Sequence, residues 1–114
     1  MADDVVYVNV EDGLKRVMNN PKLYTKLLAK FKEGNELNTL KAAVAEGDME
    51  KAQIAAHTLK GIAANLSLME LQKQCLEIET QIKSGSLNPD QITVINEVHT
   101  QTLTEADKVI EKYA

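Results

Sequence analysis

Three residue types that suit phosphoryl chemistry lie within about one helical turn of each other, at His57, Lys60 and Gly61. A neutral imidazole is a good nucleophile near pH 7, because its pKa of about 6.5 leaves much of it unprotonated. Lys60 adds a positive charge, while Gly61 and then Ala64 leave open space beside the ring. Phosphoryl transfer needs in-line access and charge stabilisation. The combination therefore predicts a histidine that accepts a phosphoryl group from a bulky protein donor.

The segment around this histidine, residues 48–66, has the hydrophobic period of a helix. Its apolar side chains gather on one predicted core face, formed by Ala52, Ala55, Ala56, Leu59, Ala63 and Leu66. At 100° per residue, His57 points roughly 160° away from the centre of that face, so it should face solvent. Gln53 shares its stripe with Gly61 and Ala64. We expect these three residues to form a docking surface around the imidazole.

Caps and prolines divide the rest of the chain into helical segments with almost no strand alternation. The predicted helices cover residues 10–18, 21–46, 48–66, 67–84 and 89–113. Gly34 is expected to kink or interrupt the second, and Ser67 with Glu70 has the spacing of a capping box. Four long amphipathic helices with short connections predict an all-α fold, an antiparallel four-helix bundle with a short additional N-terminal helix.

The predicted core is aliphatic, because only 4% of the residues are aromatic and Phe31 is the single phenylalanine. The second helix offers a stripe of Leu23, Leu27 and Phe31. The fourth carries a heptad pattern of Leu68, Leu71, Cys75, Ile78 and Ile82. The last helix offers Ile92, Ile95, Val98, Thr102, Ala106, Val109 and Tyr113. His99 falls at the edge of this last stripe and is assigned no role.

Length and charge exclude several classes of protein. The 114 residues, with 13 Lys and Arg against 17 Asp and Glu, suffice for one domain, residues 1–114, of net charge −4. Acidity argues against nucleic-acid binding and against binding to anionic lipid. A single cysteine excludes an internal disulfide and a Cys-rich zinc site. The acidic N-terminus is unlike a signal peptide and no apolar run could span a membrane, so a cytoplasmic protein is expected.

Glu79, on the fourth predicted helix, is the candidate to orient the imidazole. A partner that accepts a hydrogen bond from one ring nitrogen would fix the tautomer in which the other nitrogen is free to attack. Glu79 follows the core residue Ile78, at the edge of the heptad stripe, and could reach the third helix. Alternatively, it is an exposed carboxylate that pairs with Lys83 at i+4. Both contacts can hold together, and the sequence leaves them open.

The segment AHTLKGIAANL, followed by Leu71, Cys75 and Ile78-Glu79, closely resembles the histidine-containing phosphotransfer (HPt) domain family. The flanking stretches VNVEDGLKRVMNNPKLYTKLLAKF and LKAAVAEGDMEKA look like the first helices of that family. The resemblance implies that His57 takes a phosphoryl group from the aspartate of one receiver domain and gives it to another. The implied partners are receiver domains of response regulators and hybrid sensor kinases. Magnesium would belong to the receiver, and no cofactor or metal is expected here.

The resemblance also implies roles for the neighbouring residues. Lys60 would interact with the phosphoryl group, Gly61 would permit close docking, and Glu79 would hydrogen-bond the histidine. Two positions depart from the usual pattern of the family. Ile62 stands where a small residue such as Ser or Ala is more usual, and Ser67 where a turn glycine is more usual. Neither departure removes the chemistry, but both could tune specificity.

Two other functions compete with this phosphocarrier, for which no kinase activity is expected because the sequence has no P-loop or Gly-rich ATP-binding stretch. The first is a helical adaptor that docks receiver domains without carrying phosphate. The second is a metal-binding bundle enzyme, whose sites use Glu-x-x-His pairs. Here Ile54 precedes His57 by three residues and Asn96 precedes His99, so the metal enzyme is disfavoured.

Overall fold

The computed structural model describes residues 5–114, which form six α-helices and no strand. Asp3 and Asp4, part of the acidic N-terminus that weighs against a signal peptide, lie outside the described residues. The helices are α1 (Val10–Arg16), α2 (Pro21–Lys32), α3 (Glu36–Glu46), α4 (Met49–Leu66), α5 (Met69–Lys83) and α6 (Pro89–Lys112). The predicted all-α class is confirmed.

The histidine-bearing helix α4 lies between α3 and α5, with which it makes its most extensive contacts. Helix α5 packs in turn on α6, and α6 packs on α2. Polar contacts join α6 to α2 and α3, through an ion pair between Lys32 and Asp107 and a hydrogen bond of 2.9 Å from Lys41 Nζ to Asn96 Oδ1. None of the helices within residues 5–114 is both long and apolar enough to cross a bilayer.

The predicted second helix is two helices, α2 and α3, separated by Glu33, Gly34 and Asn35. The Gly34 amide donates to the Phe31 carbonyl at 3.1 Å, a turn bond that closes the end of α2. The interruption expected at Gly34 is therefore confirmed, whereas one helix over residues 21–46 is wrong. The first helix ends at Arg16, two residues earlier than predicted.

The buried stripe of α2 differs from the predicted one. It consists of Tyr24, Leu28 and Phe31, whereas Leu23 is 41% exposed. Tyr24 is wholly buried, and its hydroxyl donates a hydrogen bond of 2.7 Å to the carbonyl of Leu66 at the end of α4. Burial raises the pKa of Tyr24 to about 12. Its phenol therefore stays protonated and available as a donor at neutral pH.

Ser67 ends α4 and does not cap α5, so its predicted capping role is wrong. Its φ of 58° and ψ of 39° are left-handed, and Leu68 is the residue that precedes α5. The Ser67 hydroxyl donates to the carboxylate of Asp12 in α1, and its carbonyl accepts from the Asn9 amide at 2.9 Å. The bond from Ser67, followed by that from Arg16, lowers the pKa of Asp12. These contacts fasten α1 to the α4–α5 turn.

Most of the predicted core residues of the remaining long helices are confirmed. The six apolar residues of α4 are all buried, as are Leu68, Leu71, Cys75 and Ile78 of the heptad and five residues of the α6 stripe. Ile82, Ile92 and Tyr113 are only partly buried. His99 lies at the core edge, as predicted, with its ring centroid 5.4 Å from that of Phe31. Burial lowers the pKa of His99, Lys41 lowers it further, and Glu36 partly opposes them.

The close contact between α1 and α2 predicts a steric penalty at Gly13. An added Cβ there would clash with Cζ of Tyr24, whose hydroxyl is anchored on α4. We expect Gly13→Ala to lower the free energy of unfolding by about 1–3 kcal/mol, the usual cost of overpacking, as measured by urea denaturation. The cost should shrink in a Tyr24→Phe background, where the ring loses its anchor. Equal or higher stability of the single variant would contradict this packing.

Candidate functional site

His57 stands on the outer face of α4 with 71% of its side chain exposed. The helix that carries it is 18 residues long and is capped by Asp48, whose carboxylate accepts a hydrogen bond of 3.1 Å from the Lys51 amide. The buried alanines on its opposite side hold the helix against the core. The outward orientation predicted from the helical period is therefore what the structure has, and the imidazole is open to a partner.

A buried carboxylate lies beneath this exposed ring. The side chain of Glu79, on α5, is only 4% exposed, and its Oε2 lies 3.1 Å from Nδ1 of His57. Its other oxygen, Oε1, lies 2.6 Å from Nζ of Lys60, which is one turn further along α4. One carboxylate therefore joins the histidine and the lysine.

The charge on Glu79 is stabilised by its two partners. Burial by itself raises the pKa of this carboxyl group, but the hydrogen bonds and charges of Lys60 and His57 lower it, and the net shift is downward. Glu79 is therefore ionised at neutral pH. An ionised carboxylate only accepts hydrogen bonds, so in the neutral form of the His57 ring Nδ1 carries the proton and Nε2 carries the lone pair. No hydrogen bond to Nε2 occurs among residues 5–114.

Of the two contacts left open for Glu79, the structure has the one with His57. The alternative of an exposed carboxylate paired with Lys83 is wrong, because Glu79 faces α4 from the edge of the α5 core stripe. The ion pair between Lys60 and Glu79 is not predicted from the sequence. Its only local signal is that Lys60 lies one turn after His57, so that a single residue on the next helix can reach both.

No bulky side chain lies beside His57 on the Gly61 side, as the residue types suggested. An added Cβ at Gly61 would meet nothing within 4 Å, so the helix backbone is bare there. Gln53 and Ala64, the other residues of the expected docking surface, are partly exposed on the same side of α4. A protein surface can therefore approach the imidazole closely over Gly61.

The chemistry available at this site is that of a nucleophilic imidazole. Burial raises the pKa of the single thiol, Cys75, to about 12, so that group is protonated and enclosed in the core. No cluster of three or more potential metal ligands occurs in the described part of the chain. What remains is an exposed ring nitrogen, oriented by a carboxylate and flanked by an ammonium group.

The family model of the Hpt domain matches residues 26–108, which include His57, Lys60 and Glu79. The chain belongs to the Hpt domain family. Hpt domains act in phosphotransfer in two-component phosphorelays and interact with receiver domains. The match begins within α2, so α1 lies outside it. No curated protein and no solved structure matches the chain.

We predict that substitution of Gly61 by alanine increases the stability of this Hpt domain. Glycine in the middle of a helix costs about 0.5–1 kcal/mol relative to alanine, and the open space at this position removes any steric penalty. We expect Gly61→Ala to raise the free energy of unfolding by that amount in urea denaturation. The same substitution at Gly13 has the opposite predicted sign. A loss of stability at Gly61 would mean that a side chain there meets other atoms.

The lowered pKa of Glu79 predicts a pH-dependent contribution to stability. The folded value lies below the ordinary value of 4.5. The stabilisation is therefore complete above pH 4.5 and is lost as the pH falls through the folded pKa. We expect Glu79→Gln to be less stable than the wild type at pH 7, and this difference should narrow below pH 4.5 in urea denaturation.

Glu97→Gln, at an exposed position on α6, is the control, because it also removes one carboxylate from the chain. A difference between wild type and Glu79→Gln that stays constant from pH 7 to pH 3 would contradict the ion pair with Lys60 and His57.

Proposed function

We propose that this Hpt domain carries a phosphoryl group on His57 between receiver domains. It accepts the group from the aspartyl phosphate of one receiver and passes it to the aspartate of another. The observation that carries the proposal is the exposed imidazole whose Nδ1 is held by a buried, ionised Glu79. This arrangement supports a fixed nucleophile, because the tautomer and the ring orientation are set before a partner arrives.

In the proposed step, the lone pair of His57 Nε2 attacks the phosphorus of the acyl phosphate. The N–P bond forms as the P–O bond to the aspartate breaks, and the electron pair of that bond leaves with the receiver's carboxylate. The proton on Nδ1 stays in place. The imidazolium so formed is stabilised by the negative charge of Glu79, 3.1 Å away. Transfer to the second receiver reverses these changes.

Lys60 is proposed to stabilise the phosphoryl oxygens. Its ammonium group sits on Glu79 Oε1, and 27% of its side chain is exposed, so the flexible side chain can turn toward a phosphate on the neighbouring ring. Both of its contacts are then with negative charge. Magnesium is assigned to the receiver. We propose that the chain has no autonomous kinase activity and only relays the group.

The proposed docking surface is formed by Gly61, Ala64 and Gln53, with His57 at its centre. Its partners are receiver domains of response regulators and of hybrid sensor kinases. A carrier must release each partner after transfer, so the interface should be at the small, transient end of the size range.

The proposed framework is an antiparallel four-helix bundle in which α2 and α3 together supply one member and α1 is an additional element. The connection between α4 and α5 supports it, because only Ser67 and Leu68 join these helices and short connections favour antiparallel neighbours.

Incubation with a phosphorylated receiver tests the proposal. We expect the wild type to gain a phosphate that is labile in acid and stable in base, and His57→Gln to gain none. His99→Gln removes the other histidine and should still be labelled, provided that circular dichroism shows it folded.

An adaptor is the competing function. Receiver binding by both wild type and His57→Gln, without labelling of either by any phosphorylated receiver, would contradict phosphotransfer and favour the adaptor.

A further inference from the structure

His99 is the histidine that the proposed phosphotransfer leaves unused, and it lies where α6 meets α2 and α3. Its ring packs against that of Phe31 on α2, with the centroids 5.4 Å apart and the planes inclined at 55°. Unlike Nδ1 of His57, neither nitrogen of this ring has a hydrogen-bond partner within residues 5–114. The side chain is only partly buried, so a proton from water can reach it in the folded protein.

A lysine on α3 is held beside this ring. The ammonium group of Lys41 donates a hydrogen bond of 2.9 Å to Oδ1 of Asn96. Asn96 and His99 are three residues apart on α6, so their side chains are neighbours on one side of that helix. The ammonium group is therefore fixed about one helical turn from the imidazole. A proton on His99 would place two positive charges close together at this junction.

The pKa of His99 is shifted downward by these surroundings. Burial and then Lys41 lower this pKa, whereas Glu36, on α3, raises it. The folded value lies below the ordinary value of 6.5, so the ring is neutral at pH 7.5. The neutral ring therefore stabilises the fold fully above pH 6.5, and this stabilisation is lost as the pH falls from 6.5 through the folded pKa.

Helix α3 is the element that depends on this junction. Its most extensive contacts are with α4, and the bond from Lys41 to Asn96 is the only side-chain hydrogen bond between α3 and α6 within residues 5–114. By contrast, α2 packs on α6 and adds the ion pair between Lys32 and Asp107. Helix α3 has 11 residues, and a helix shorter than about 12–15 residues is marginal in water without packing. Weakening of the junction therefore loosens α3 before α2.

We propose that His99 is an acid-sensitive switch, which keeps α3 joined to α6 while its ring is neutral and releases α3 when the ring gains a proton. The new charge repels the ammonium group of Lys41, and the hydrogen bond to Asn96 breaks. Helix α4 packs most extensively on α3 and α5, so release of α3 frees one side of the helix that carries His57. The switch goes beyond the proposed phosphotransfer and does not depend on it.

Amide hydrogen exchange of the full chain at pH 7.5 and pH 5.5 tests the switch. His99→Gln keeps a polar side chain but removes the titration. At a given pH the two proteins share the same exchange chemistry and the same His57, so both effects cancel in the ratio of their exchange rates. For amides of α3, we expect the ratio of wild type to variant to rise as the pH falls. The limit for uptake of one proton is about tenfold per pH unit. For α5, on the other side of α4, the ratio should stay constant.

Two further variants identify the cause of the release. Lys41→Gln removes the repelling charge. We expect it to reduce the acid-induced rise in α3 exchange about threefold, as for two unit charges about 6 Å apart in water. His57→Gln removes the other histidine, and its α3 should respond to acid as the wild type does. The comparison of wild type with Lys41→Gln still tests the switch where circular dichroism shows His99→Gln to be unfolded.

Four outcomes would overturn the proposal. The first is a ratio for α3 that is the same at both pH values. The second is an equal acid-induced rise in α3 and α5, which would mean that protonation unfolds the whole domain. The third is an undiminished response in Lys41→Gln, which would exclude repulsion across the junction. The fourth is loss of the response in His57→Gln, which would assign it to the other histidine. None of these outcomes bears on labelling of His57 by a receiver.

Discussion

The geometry of the site depends on one buried carboxylate with two oxygens and two partners. Glu79 orients the imidazole of His57 through Oε2 and neutralises Lys60 through Oε1. Burial alone would favour the protonated carboxylic acid. That acid would donate a hydrogen bond to the imidazole, whereas the site requires a carboxylate that accepts one from Nδ1. The lysine keeps the carboxylate ionised, and the ionised carboxylate fixes the tautomer of the ring. The three side chains form one electrostatic unit across α4 and α5, and none of them could be replaced without changing the state of the others.

The sequence predicts α4 well, because its core face repeats with helical period and contains few competing apolar residues. It predicts α2 poorly. Leu23, Leu27 and Phe31 form an apolar stripe as regular as Tyr24, Leu28 and Phe31, so local period cannot choose between them. The choice is made by contacts with other elements, since the ring of Tyr24 fits against Gly13 and its hydroxyl reaches the end of α4.

The contacts of Ser67 and Glu79 also could not be predicted from local sequence patterns alone. Ser67 has good capping chemistry, yet the turn requires a left-handed residue at that point, and its hydroxyl bonds to α1. For Glu79, sequence spacing puts the residue at the edge of a stripe but cannot give the rotation of α5 against α4. The identity of the imidazole's partner follows from that rotation. Residue types with the right chemistry, and Glu79 as a candidate partner of His57, were visible in the sequence. The choice between His57 and Lys83, and the ion pair with Lys60, were not.

The enclosure of Cys75 has a practical consequence. The thiol is the sole cysteine of the chain, it has no exposed surface, and its pKa of about 12 leaves almost no thiolate at neutral pH. Water-soluble thiol reagents will therefore not modify Cys75 in the folded protein. A cysteine introduced at the surface would be the single reactive thiol of the folded protein. A fluorophore or spin label can therefore be attached at a chosen position without first replacing Cys75.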